Sequence, residues 1–301
     1  MPISFTCPSC GQSSVVGDEY AGQTGPCRGC GNTVTIPFSG AMAKPAYGPP
    51  STSTKSGGAF GAIAVILGIL GIGGVLCGGV LVALLLPAIQ SARTAAQRMQ
   101  SSNNLKQIAL AFHNYESTYK QLPAAYLLDA DGKRTMSWRV AILPFMESVR
   151  VYENYKTNEP WDSASNQAVT NVPIMTYKNP ADTKAGPLET SYMVVTGPGT
   201  LFEDDKATRF SEVTDGLSNT ILAVEVVGTG VKWSEPKDLD INTMIFKING
   251  GGANAIGSPF KNGANVAMAD GSVRFLSNSM LEATLRAMLT RNGGEAIPLG
   301  E

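Results

Sequence analysis

The sequence predicts an α+β chain: a long helix, membrane-spanning in its first half, packed on a mostly antiparallel sheet and preceded by a small cysteine-rich module. Three observations predict it. Four of the five cysteines fall in two C-x2-C pairs near the start; Ala59–Ile89 carries no strongly polar side chain; and the remainder alternates helical stripes with short β-branched or aromatic runs. The 301 residues have a formal net charge of −1, which gives no electrostatic reason to expect nucleic acid or an acidic surface as partner.

The first element is the module over residues 1–38. In "CPSCGQSSVVGDEYAGQTGPCRGCG" the pairs Cys7/Cys10 and Cys27/Cys30 have the spacing of a four-cysteine zinc site. Each C-x2-C turn aims two sulfurs at one ion, and Gly11 and Gly31 free the backbone just after each turn. Four thiolates close a tetrahedral shell with no position for water or substrate, so one structural zinc is expected. That ion supplies folding free energy to a segment too short for a core of its own. Asp18, Glu19 and Arg28 are the only charges in residues 1–40, so the basic face that nucleic acid demands is missing. Residues 39–58, "SGAMAKPAYGPPSTSTKSGG", have almost nothing to bury and are expected to be a flexible linker.

A membrane helix over 59–89 comes next. No charge occurs between Lys55 and Arg93, and a span needs roughly 20 apolar residues. Membrane lipid is therefore an expected partner of residues 59–89. The flanking charges, Lys44 and Lys55 against Arg93, Arg98 and Lys106, lean slightly against a cytoplasmic N-terminus. The cysteines point the other way: four precede the span, Cys77 lies within it and none follows. The expectation is a single-pass protein of the cell membrane, N-terminus cytoplasmic and C-terminal domain extracytoplasmic.

Beyond Pro87 the positions Leu85, Ile89, Ala92, Ala96 and Met99 advance by helical steps, and Leu105, Ile108, Ala109 and Phe112 resume the stripe after a polar patch at Ser101–Asn104. The helix is expected to run to about Tyr119 and to carry one apolar face that something must cover. Strands are expected in "SYMVVTG" (191–197), "TILAVEVV" (220–227), "MIFKI" (244–248), "NVAMA" (265–269) and "SVRFL" (272–276). Asp270–Gly271 predicts a two-residue hairpin turn that pairs Met268 with Val273 and Val266 with Phe275 on one apolar face, with Ala267 and Arg274 on the other. A closing helix has Ser279 and Glu282 spaced as a capping box, with Leu281, Leu285, Met288 and Leu289 along one side. Residues 90–301 thus read as one α+β domain.

The segments "LLLPAIQSARTAAQRMQSSNNLKQIALAFHNYESTY", "SWRVAILPFMESVRVYENYKTNEPWDS", "TSYMVVTGPGTLF", "TRFSEVTDGLSNTILAVEV" and "NVAMADGSVRFLS" resemble, in order, a large family of uncharacterised bacterial pilin-like proteins with a C-terminal H-x9-DG signature. The resemblance implies a pilin-like fold and an extracytoplasmic location, and brings no established activity. Three departures stand out. Phe260 replaces the signature histidine, Asn179–Pro180 stands where relatives often read Cys-Pro, and Ile63 falls where a prepilin glutamate would lie if Gly58 were the cleavage glycine. The chain is therefore read as an uncleaved, anchored relative, its amino-terminal module resembling the small zinc ribbons at the cytoplasmic ends of bacterial membrane proteins.

Catalytic chemistry is not expected. His113, the single histidine, sits on a helix beside Phe112 and is expected to face solvent. "DADGK" (129–133) reads as a hydrated turn rather than a calcium loop, and "FEDDK" (202–206) as a solvated acidic loop. "TGPGT" and "NGGGAN" read as turns, not phosphate loops. Trp138, Trp161 and Trp233 are core residues or the lining of a glycan or peptide groove. The leading expectation is a non-enzymatic envelope or assembly protein with protein partners, pilin-like subunits among them, and with no small-molecule substrate. A minor pseudopilin, or a ligand sensor or hydrolase, is the alternative.

Overall fold

A computed structural model describes residues 2–36, 59–146 and 148–295, and for 59–83 the backbone course alone. The linker expected over 39–58 lies outside the described residues. The chain divides into two compact units, Met1–Gly73 and Gly74–Glu301.

The first unit holds two hairpins. β1 (Ile3–Thr6) pairs antiparallel with β2 (Ser13–Val16), and β3 (Thr24–Pro26) pairs antiparallel with β4 (Thr33–Thr35). Each hairpin carries one C-x2-C turn. A miniature core of Cys7, Cys27 and Val34, with Phe5 against it, is too small to hold the hairpins by burial alone.

Helix α1 runs from Ala59 to Tyr119 without interruption, 61 residues, and passes through Pro87. At 1.5 Å rise per residue this is about 90 Å. It ends where Lys120 takes the left-handed conformation, φ 61°. Among the described residues no helix is long and apolar enough to cross a membrane. The run on which the span expectation rests falls mostly on 59–83, whose side chains lie outside the described set.

The second unit continues with the hairpin β5 (Tyr126–Leu128) and β6 (Arg134–Ser137), then the short helices α2 (Trp138–Ala141), α3 (Val149–Asn154) and α4 (Ala164–Thr170). There follow β7 (Tyr192–Met193), β8 (Val195–Thr196), β9 (Ile221–Glu225), β10 (Leu239–Asp240), β11 (Gly263–Met268), β12 (Val273–Ser277) and α5 (Glu282–Leu289). The main sheet has four strands in the order β12-β11-β9-β7, antiparallel throughout, while β8 and β10 form a separate parallel pair. The α+β class with antiparallel sheets is thus present.

The sheet has two covered faces. Leu105, Ile108, Ala109 and Phe112 of α1 share a core with Tyr192, Ala223, Ala267 and Trp138. On the opposite face Val224, Val266, Met268 and Leu276 pack with Leu285, Met288 and Leu289 of α5. β11 is buried along its whole length, whereas β12, at the sheet edge, alternates between half-buried and exposed positions apart from buried Leu276.

Other expectations are corrected in detail. The hairpin pairs Ala267 with Val273, Val266 with Arg274 and Asn265 with Phe275. The turn uses three residues rather than two: Gly271 N donates to Met268 O, Met268 N to Ser272 O, and Gly271 sits at φ 86°. One extra loop residue moves each residue's partner by one. Val266 and Met268 therefore face α5, while Ala267 and Val273 face α1.

"SYMVVTG" is split into β7 and β8 because Asp238 Oδ1 takes the Val194 N–H at 3.0 Å. "MIFKI" is no strand: Met244 and Ile248 are buried, Ile245 is exposed, and a chain of turns holds it. Ser279 does not cap α5; its hydroxyl meets that of Ser277 at 2.7 Å, and Leu281 takes the cap position. The stripe through Leu85, Ile89 and Met99 is exposed, and the covered face of α1 begins at Ser101.

Candidate functional site

Both C-x2-C turns are built alike. Cys7 N donates to Gln12 O and Gly11 N to Cys7 O, each at 2.9 Å; Cys27 N donates to Asn32 O at 2.9 Å and Gly31 N to Cys27 O at 2.8 Å. Gly11 and Gly31 close the turns at φ 75° and 74°, a conformation that disfavours any residue with a Cβ. The two knuckles face each other: Cys7 Sγ lies 3.9 Å from Cys30 Sγ, and Cys10 Sγ 3.8 Å from Cys27 Sγ. All four sulfurs lie within 4.8 Å of one another. A tetrahedron with metal–sulfur bonds of about 2.3 Å has edges of about 3.8 Å. The four cysteines singled out by spacing are therefore placed to hold a metal ion.

Electrostatics favour the same conclusion. The Ser9 N–H directed at Cys7 draws that thiol down to about 6, against the opposing effect of burial. At Cys10 the Gln12 N–H acts in the same sense but is outweighed by the Cys30 and Cys7 sulfurs, and the thiol is pushed up to about 12. Sulfurs this close cannot all ionise without a cation among them, so a bound metal ion would take the place of the protons.

The second concentration of polar chemistry lies between α1 and the sheet. Glu225, on β9, is fully buried and carries no ion pair among the described residues. Its Oε1 accepts from the Ser101 hydroxyl, from Asn179 Nδ2 at 3.1 Å and from Asn265 Nδ2 at 3.0 Å; its Oε2 accepts from Asn265 N at 2.7 Å. Tyr192 OH lies 2.7 Å from Ser101 Oγ, and Asn104 donates to Lys178 O at 3.0 Å. Burial pushes the Glu225 carboxyl up to about 7, the Ser101 and Asn265 donors and nearby Arg98 pulling the other way. The polar patch at Ser101–Asn104 thus supplies inward groups, and Asn179 joins them. The signal was present in the sequence, since Ser101 continues the stripe of Leu105, Ile108 and Phe112 and Glu225 interrupts an apolar strand.

A buried ion pair braces the neighbouring layer. Arg139 Nη2 lies 2.6 Å from Asp238 Oδ1, both side chains almost wholly buried. Asp238 Oδ1 also accepts from Trp138 Nε1 and Val194 N, each at 3.0 Å, while Arg139 donates to the carbonyls of Tyr192, Glu235 and Lys237.

The remaining candidates fall into place singly. His113 is half-buried rather than solvent-facing: its ring stacks on Phe210, centroids 4.5 Å apart, and its Nε2 is buried with no hydrogen-bond partner among the described residues. Asp129 Oδ1 accepts the N–H groups of Asp131 and Lys133, which makes "DADGK" a turn between β5 and β6. Glu203 is held by Arg291 at 2.8 Å, and that contact, ahead of the opposing effect of burial, keeps its carboxyl below the usual range. Trp138 and Trp233 are core residues, and Trp161 is half-buried.

The chain belongs to the family described as protein of unknown function, DUF1559, whose pattern it matches over residues 90–244. The match takes in Ser101, Arg139, Asn179, Glu225 and Asp238 and leaves the cysteine module outside it. No curated protein and no solved structure matches the chain.

Proposed function

We propose that the chain is a non-enzymatic, pilin-like protein anchored in the cell membrane by one span over residues 59–89. In this reading a cytoplasmic ribbon holds one structural zinc through Cys7, Cys10, Cys27 and Cys30. The α+β domain from residue 90 is extracytoplasmic and serves envelope structure or protein–protein assembly. The observation that carries the reading is a change of environment along α1. Leu84, Leu85, Leu86 and Ile89 are 67, 55, 54 and 61% exposed, whereas Leu105, Ile108 and Phe112 are wholly covered. Large apolar side chains exposed together around the helix are stable in lipid and costly in water. The absence of charge between Lys55 and Arg93 extends that environment back along the same helix.

Mass spectrometry of the protein extracted from membranes tests the anchored reading. An intact chain that retains its cysteine module is expected. A mature N-terminus near Ala59 would replace this reading with that of a processed minor pseudopilin. Crosslinking in native membranes, followed by identification of the attached proteins, names the partners on each side.

A further inference from the structure

Helix α4 and the segment around Lys232–Ser234 enclose a hollow of about 460 Å³. This volume is within the range of small-ligand sites. Trp161 and Trp233 both line it, so two of the three tryptophans meet at one place. Trp161 is half-buried, which leaves part of its ring to the hollow, whereas Trp233 is buried and anchored by its Nε1 to Val172 O at 2.9 Å. The polar lining is neutral except for one group. Asn171 and Gln167 contribute amides, Ser234 a hydroxyl and Lys232 an ammonium. Ser234 is 2% exposed, and its hydroxyl makes no hydrogen bond among the described residues. Asn171 and Lys232 are exposed, with side chains that are likewise without partners among the described residues.

We propose that this hollow binds one neutral sugar ring of a saccharide. A sugar presents a C–H face that stacks on an indole and a rim of hydroxyls that both donate and accept. The rim would satisfy the Ser234 hydroxyl and the Asn171 amide. An apolar peptide side chain filling the same space would cover those groups without pairing them. The lining carries a single ammonium, Lys232, and the Glu235 carboxylate, which accepts the Lys232 backbone N–H at 3.3 Å, stands beside it as a counter-charge.

The test uses the full-length chain in lipid nanodiscs, free of sugar-headed detergent. Cellotriose, maltotriose and tri-N-acetylchitotriose are titrated separately while tryptophan fluorescence and heat are followed. Saturable binding of at least one sugar is expected. Trp161→Ala should weaken it by about tenfold or more and Trp161→Phe should restore part of the loss. Asn171→Ala and Lys232→Ala, both at exposed positions, should each weaken it with the circular dichroism spectrum unchanged. The proposal is overturned if none of the sugars saturates, if the Trp161→Ala protein binds as the parent does, or if a blocked tri-leucine peptide competes with the sugar for the hollow.

Discussion

Ser101 on α1 donates its hydroxyl to Glu225 on β9, and this wholly buried contact ties the helix to the inner face of the sheet. The Glu225 carboxyl is raised to about 7 from an ordinary value of 4.5, burial being the largest cause. A folded-state value above the unfolded one means that the folded protein binds the extra proton between those limits. Stability from this group is therefore complete below about pH 4.5 and is lost as pH rises through 7, by a few kcal/mol at most. Thermal midpoints of the parent chain should fall between pH 5 and pH 8 more steeply than those of Glu225→Gln. Parallel pH profiles for the two proteins would remove Glu225 as the source.

Asp238 and Arg139 make the opposite kind of buried contact, a charge with its counter-charge. Asp238→Ala leaves the guanidinium buried without its carboxylate and should destabilise the domain by about 3–5 kcal/mol. The double change Arg139→Leu with Asp238→Leu should recover much of that loss. Urea denaturation followed by the fluorescence of the buried tryptophans measures both, and a double variant no more stable than the single one counts against the argument.

Gly271 closes the β11–β12 turn at φ 86°, and a Cβ there would meet the His113 ring at 3.6 Å, an ordinary contact. The cost of Gly271→Ala is thus one of backbone conformation, about 1–2 kcal/mol. Gly271→Asn should cost less, since asparagine tolerates the left-handed region. Equal denaturation midpoints for the parent and Gly271→Ala proteins would refute the turn assignment.

The four-cysteine cluster predicts a stoichiometry. Purified under reducing conditions, the full chain should carry about one zinc ion, and each single Cys→Ser change should reduce that content sharply. A chelator should leave the β1–β2 and β3–β4 hairpins open to protease. Full retention of the β-structure in metal-free protein would show that the module folds without an ion.

The parts of the fold that rest on local pattern were legible. The length of α1 to Tyr119 followed from its stripe, and the four cysteines followed from spacing, because two identical knuckles leave few ways to arrange the sulfurs. Strand faces were less accessible. Asp270–Gly271 marks a hairpin, but whether Gly271 stands in a two- or a three-residue loop is decided by packing, and that choice turned Val266 and Met268 towards α5. Asp238 was invisible as the group that splits β7 from β8, since it lies more than forty residues away in sequence. The pairing of Ser101 with Glu225 was half legible: each broke an apolar pattern, yet nothing local joined them.

The most direct measurement concerns the environment of α1. Alkaline phosphatase and a green fluorescent protein are fused in turn after Glu301, and the membranes are washed with alkaline carbonate. Both fusions are expected to stay in the washed membrane, with the phosphatase active and the fluorescent protein dark. A fluorescent fusion released into the soluble fraction, beside an inactive phosphatase, would contradict the anchored reading.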